Sequence, residues 1–215
     1  MKLRRVLLLA AVALGALSAS GCGYNTLVAK QQNVKEKWSN VESQLQRRAD
    51  LLPNTFEAAR GASIQEQEVF GQIAEARSRL LNATSAQPQG ENGDKTPEQK
   101  QAVIDAANSF GGTVGRLLSL SEAYPELRST DAFKKVQDAV EGTENRIQVA
   151  REDYNASVKD YNTARGQFPM VIAARMYGFK EEPYFQAEQG AHEAPKLNAD
   201  TLRRNQNGQS NANAK

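Results

Sequence analysis

A chain of 215 residues suits one domain or two small ones, and 24% charged with 40% hydrophobic residues excludes a collagen-like or wholly disordered polymer. One cysteine excludes an internal disulfide and a cysteine-built zinc cage, and one histidine leaves metal and acid–base sites short of ligands. The formal charge of +2 includes Lys2, Arg4 and Arg5 of a removable-looking leader; setting them aside leaves 24 basic against 25 acidic residues, a balance that predicts no nucleic-acid partner.

Met1–Arg5 is a short basic start, and Val6–Leu17 is an apolar run of the length found in secretory signals. The run is short for a transmembrane helix, which needs roughly 20 residues. It ends in Leu17-Ser18-Ala19-Ser20-Gly21-Cys22, with the single cysteine directly after small residues. This resembles a bacterial lipobox at Ser20, Gly21 and Cys22 and departs from it at Ala19, where leucine is more usual. The resemblance implies cleavage before Cys22 and acylation of its sulfur and new N-terminus by chains such as palmitate. An ordinary signal peptide cut near Ala19 and an uncleaved anchor are the alternatives. A lone thiol in an oxidising compartment favours acylation. Two or more chains, at about 0.8 kcal/mol per buried CH₂, anchor stably.

From Tyr24 onward apolar residues recur at steps of three and four, the period of an amphipathic helix. The first stripe is Tyr24, Leu27, Val28, Val34, Trp38, Val41, Leu45 and Leu52. Pro53 predicts a break, with Asp50 as a cap for the next helix. The second stripe is Phe56, Ala59, Ser63, Phe70, Ile73, Arg77 and Leu80. Ala83–Gln99 has no periodicity, two prolines and two glycines, and reads as a flexible loop. Thr96 is an N-cap before Pro97 at the first helical position. The third stripe is Val103, Ala107, Phe110, Val114, Leu117, Leu118 and Tyr124, with Gly111, Gly112 and Gly115 as a weak spot or a close helix crossing. Ser129-Thr130-Asp131 offers caps for the fourth and longest stripe, which steps without interruption from Phe133 through Val136, Val140, Thr143, Ile147, Ala150, Tyr154, Ser157, Tyr161 and Arg165 to Phe168. Pro169 closes it, and Met170–Phe185 carries enough large apolar residues to dock as a short helix and turn.

The expected fold is therefore all-α: a long antiparallel up-and-down four-helix bundle with coiled-coil-like packing. Its helices lie at about 24–52, 54–82, 97–124 and 130–168. Residues 1–21 are the leader, 22–185 the bundle domain with its docking segment, and 186–215 a tail too poor in apolar residues to order itself.

Local motifs add a family. Gln44-Leu45-Gln46-Arg47-Arg48-Ala49-Asp50-Leu51-Leu52-Pro53-Asn54, Arg116-Leu117-Leu118 with Glu122-Ala123-Tyr124-Pro125-Glu126-Leu127, and Thr143-Glu144-Asn145-Arg146-Ile147 with Ala150-Arg151 resemble segments of the LemA family in the same order. Tyr24-Asn25, Tyr154-Asn155, Tyr161-Asn162, Phe168-Pro169 and Gly178-Phe179 complete the resemblance, which spans about Tyr24 to Phe185. Leu52 and Thr55 replace the more usual Ile and Leu around Pro53, and the family more often has an N-terminal membrane-anchor helix in place of a lipobox-like end. The resemblance implies a helical bundle outside the cytoplasmic membrane with no established enzymatic activity.

Tyr154-Asn155 and Tyr161-Asn162 stand seven residues apart, so both rings share one stripe and both carboxamides lie beside it. They read either as core with satisfied hydroxyls or as a ligand or partner surface. Arg47, Arg48, Asp50, Glu144, Arg146 and Arg151 read as an interhelical charge network or as solvated pairs worth about 0–1 kcal/mol each. No nucleophile elbow, phosphate loop or metal motif is present, and His192 falls in the tail. The expectation is a non-catalytic, cofactor-free scaffold or interaction module of the bacterial envelope, facing outside the cytoplasm (periplasmic where there are two membranes). The membrane, through lipidated Cys22, and an unidentified envelope protein are its expected partners. The alternative is a peptide- or small-molecule-binding lipoprotein with a cleft near Trp38, Tyr154 and Tyr161.

Overall fold

The structure, a computed structural model, describes residues 2–60, 67–90, 93–123 and 130–186, with side chains for 23–53, 71–90, 93–119, 130–131 and 133–186. The chain is all-α among these residues. Its helices are α1 (Lys2–Arg60), α2 (Gln67–Ser85), α3 (Pro97–Ala123), α4 (Asp131–Gly166) and the short α5 (Met170–Met176). Tyr177–Gln186 then runs without helix as a strap. Ser63 and the side chains of Phe56, Ala59 and Phe70 in the second stripe, the Tyr124-Pro125 bend, the Glu122 and Cys22 side chains, His192 and all of the tail beyond Gln186 lie outside the described residues.

Contacts set the helix directions. Gly23 faces Met170 and Ala173, Trp38 meets Tyr154 with ring centroids 5.1 Å apart, and Arg48 Nη1 lies 2.7 Å from Glu144 Oε2, so α1 and α4 run antiparallel. Lys100 lies over the Trp38 ring and Arg48 over Phe110, so α1 and α3 run parallel. Buried members of the stripes on all four long helices, with Ala173, Ala174 and Phe185, form one cluster. At 1.5 Å per residue the 36 residues of α4 make a rod of about 54 Å. Thr130 Oγ1 caps it by accepting the Phe133 N–H.

The expected break at Pro53 does not occur: α1 continues through it to Arg60. Proline at 53 removes the N–H that would bond the Ala49 carbonyl four residues back. That carbonyl is taken instead by Arg77 Nε of α2 at 2.6 Å, so the missing bond becomes a helix-to-helix link. Asp50 is accordingly no cap; it lies inside α1, accepts from Gln46 and faces Arg77 Nη2 at 3.6 Å. Arg77, expected on the apolar stripe, is half-buried, and Ala76 takes the core position beside Ile73 and Leu80.

The described part of Ala83–Gln99 is not the free loop expected. Thr96 and Gln99 form a reciprocal capping box, Thr96 Oγ1 accepting from Gln99 N and Gln99 Oε1 accepting from Thr96 N. Gln99 also accepts from Gln89 N and donates to Gln87 O, while Lys95 Nζ bonds the Thr84 carbonyl and pairs with Glu42. Lys35 pairs with Asp94. The glycines of α3 do not line a tight crossing: Gly111 faces the Arg48 guanidinium at ordinary distance, and Gly112 and Gly115 face open space.

Candidate functional site: a strap held on a tyrosine–asparagine ladder

Met170–Phe185 docks, but through small residues first. α5 buries Ala173 and Ala174, while Ile172, Met176 and Tyr177 stay exposed, as does Phe168 at 79%, which therefore does not complete the α4 stripe. Gly178 follows the helix with φ +72, a left-handed conformation that glycine adopts without steric cost. The Phe179 N–H returns to the Ala174 carbonyl and turns the chain back along α4.

The strap then lies on the Tyr-Asn repeat. Tyr161 Oη donates to the Lys180 carbonyl at 2.8 Å, and Tyr154 Oη to the Pro183 carbonyl at 2.8 Å. Asn162 accepts the Glu182 N–H and donates to the Glu182 carbonyl; Asn155 does the same for Phe185. Arg165 Nε adds a bond to the Phe179 carbonyl. The spacing follows from geometry: seven helical residues advance about 10.5 Å, and three extended residues about 10 Å. A heptad on the helix therefore meets a triad on the strap, 161 with 180 and 154 with 183.

Two strap side chains fix the register. Glu182 forms a buried ion pair with Lys100 Nζ of α3 at 2.7 Å, and Phe185 lies under the Arg151 guanidinium, 4.3 Å from its ring centre. Burial and the nearby Glu182 carboxylate both disfavour a phenolate. They push the Tyr161 hydroxyl up to about 12 and the Tyr154 hydroxyl upward as well.

Of the expected charge network, Arg48, Glu144 and Arg151 come together. Glu144 faces Arg48 at 2.7 Å and Arg151 at 3.7 Å. Burial pulls the Arg48 guanidinium below its ordinary pKa, with Glu144 opposing, and Arg151 follows for the same reason. Arg47 and Arg146 are exposed. Sequence reasoning missed Lys100–Glu182, Arg77 on Ala49 and the ladder's partner. The signals available were a charged residue, Lys100, in the first turn of α3 and the acid pair Glu181-Glu182 among the apolar residues of the strap.

The matched pattern of motifs and fold has a name. A model of the LemA family matches residues 37–198, which include the ladder and the strap. The chain belongs to the LemA family. It is similar to magnetosome proteins MamQ 1 and MamQ 2 of Paramagnetospirillum magneticum, each 30% identical over 184 residues covering 80% of this chain and 67% of theirs. It is also similar to magnetosome protein MamQ of Magnetospirillum gryphiswaldense, 29% identical over 80% of this chain and 65% of that one. In this LemA-family chain the Tyr-Asn polar groups are engaged by its own backbone.

Proposed function

We propose that this LemA-family protein is a lipid-anchored scaffold of the bacterial envelope, facing outside the cytoplasm, that binds a protein partner and catalyses no reaction. The observation carrying the scaffold part is how the polar signature residues are used. Tyr154, Asn155, Tyr161 and Asn162 hold the strap, Arg48 and Glu144 hold α1 to α4, and Arg151 pairs with Glu144 while covering Phe185, so these groups serve rigidity rather than chemistry on a substrate. The lipobox-like Ser20-Gly21-Cys22 supports the anchor, and the names of the relatives describe a structure they belong to rather than a reaction.

The ligand-binding alternative needs a cleft beside Trp38, Tyr154 and Tyr161. All three side chains are buried, and the strap lies over the two tyrosines, which disfavours that place for a ligand.

Metabolic labelling with an alkyne fatty acid tests the anchor: label should appear on the chain and vanish in Cys22→Ala, and label retained by Cys22→Ala would sink it. Crosslinking in living cells followed by mass spectrometry tests the scaffold, which requires a recurrent envelope protein among the adducts.

A further inference from the structure

Exposed large apolar side chains are unevenly placed. Tyr24, Phe168, Ile172, Met176 and Tyr177 are all exposed, from 39% to 79%, at the end of the molecule where α1 leaves Gly23. α5 inverts the usual choice for a helix in water: it buries two alanines and turns Ile172 and Met176, one turn apart, outward. A contiguous outward apolar ridge marks a surface that is covered in use.

What covers it follows from the start of the fold. Gly23 is already buried, a Cβ there falling 3.6 Å from Met170 Cγ and 3.9 Å from Ala173 Cβ, and Leu27 is fully buried. Helix α1 runs through residue 22 without a linker. One residue of helix advances about 1.5 Å, so a lipid on Cys22 would leave the folded end no tether. The ridge of α5 would then lie against the membrane rather than in water.

We propose that this end of the molecule, built from Tyr24, α5 and the turn into the strap, is a membrane-interface face that seats in phospholipid. The inference rests on the lipid-anchor reading and deepens it. Tyr24 and Tyr177 pack with ring centroids 4.8 Å apart and planes tilted by 60°, and tyrosine, apolar in body and polar at its tip, suits the headgroup level. Arg175 and Lys180 are exposed on the same segment and suit anionic lipid, while the neighbouring acid, Glu181, pairs with Arg165. Seating the end fixes the rod's angle to the membrane, which acyl chains alone do not do.

The test places a photocrosslinking benzophenone side chain at position 172 or 176 of the full chain in cells. Position 149, exposed on α4 about 25 Å up the rod, is the control. Because 172 and 176 are exposed, thermal melts of the labelled chains should match the parent and show that the fold is kept. Phospholipid adducts at 172 and 176 well above those at 149 are expected. Protein adducts in their place would overturn the inference, because a partner would then cover the ridge. No adduct above the control, with Cys22 still taking up the alkyne fatty acid, would overturn it while leaving the anchor intact. Loss of both fatty-acid label and membrane association would overturn both.

Discussion

Asn155 and Asn162 each close a two-bond ring with one strap residue, a use that depends on a side chain carrying both donor and acceptor. Asn162→Ala should cost about 1–3 kcal/mol in chemical denaturation, because the Glu182 N–H and carbonyl lose their partners. Asn162→Asp should cost at least as much, since it keeps the acceptor but loses the donor and places a second carboxylate beside Glu182. The tyrosine hydroxyls give a pH signature. Their folded pKa is raised above the unfolded value near 10, so the protonated form is the one the fold favours. Their contribution is complete below about pH 10 and is lost as pH rises towards about 12 for Tyr161. Melting temperatures should fall across that window, and the fall should flatten in a Tyr154→Phe, Tyr161→Phe double variant. The Lys100–Glu182 pair behaves differently, because both charges are buried. Removing Glu182 alone should cost about 3–5 kcal/mol, and replacing both partners with apolar residues should restore most of it.

At the scale of elements, α1 shows how a proline inside a helix is accommodated. The carbonyl freed by Pro53 gains Arg77 from the neighbouring helix, so the local loss is met by a bond 28 residues away. Arg77→Met should leave the Ala49 carbonyl without that donor and destabilise by about 1–3 kcal/mol, read as a shifted denaturation midpoint. On α4 the apolar stripe was legible from Phe133 to Tyr161, and every member is buried. Ile147, fully buried midway, should cost about 2–5 kcal/mol as Ile147→Ala. The stripe failed at its end, where Arg165 reaches the strap and Phe168 points outward. Periodicity reports which residues share a face, and cannot report that the next element has left that face open.

For the whole molecule the strap is what joins the ends. It ties α4 to α3 through Lys100 and brings the Phe179 ring centre within 5.8 Å of that of Tyr24 on α1. Deleting the chain from Tyr177 onward removes the ladder bonds and the burial of Phe185 together. At roughly 1 kcal/mol net per hydrogen bond, this should lower the melting temperature by about 10 °C or more. Deleting only residues 187–215 should hardly move it. Equal melting temperatures for the two truncations would show that the strap adds nothing to stability.

The sequence by itself determined the all-helical class, most members of the buried stripes, the cap at Thr96 and the family, and it narrowed the cap of α4 to Ser129, Thr130 or Asp131. Each of these is written in steps of three, four or seven residues, which helical geometry converts directly into a face or a terminus. The tertiary structure decided that Pro53 lies within one helix, that the Tyr-Asn heptads grip a strap, that Lys100 meets Glu182 82 residues away, and that α5 turns its large side chains outward. Those outcomes are matters of pairing between distant segments. A hydroxyl or carboxamide on a stripe carries no mark of the carbonyl it will bond, and only the packed chain brings the two together.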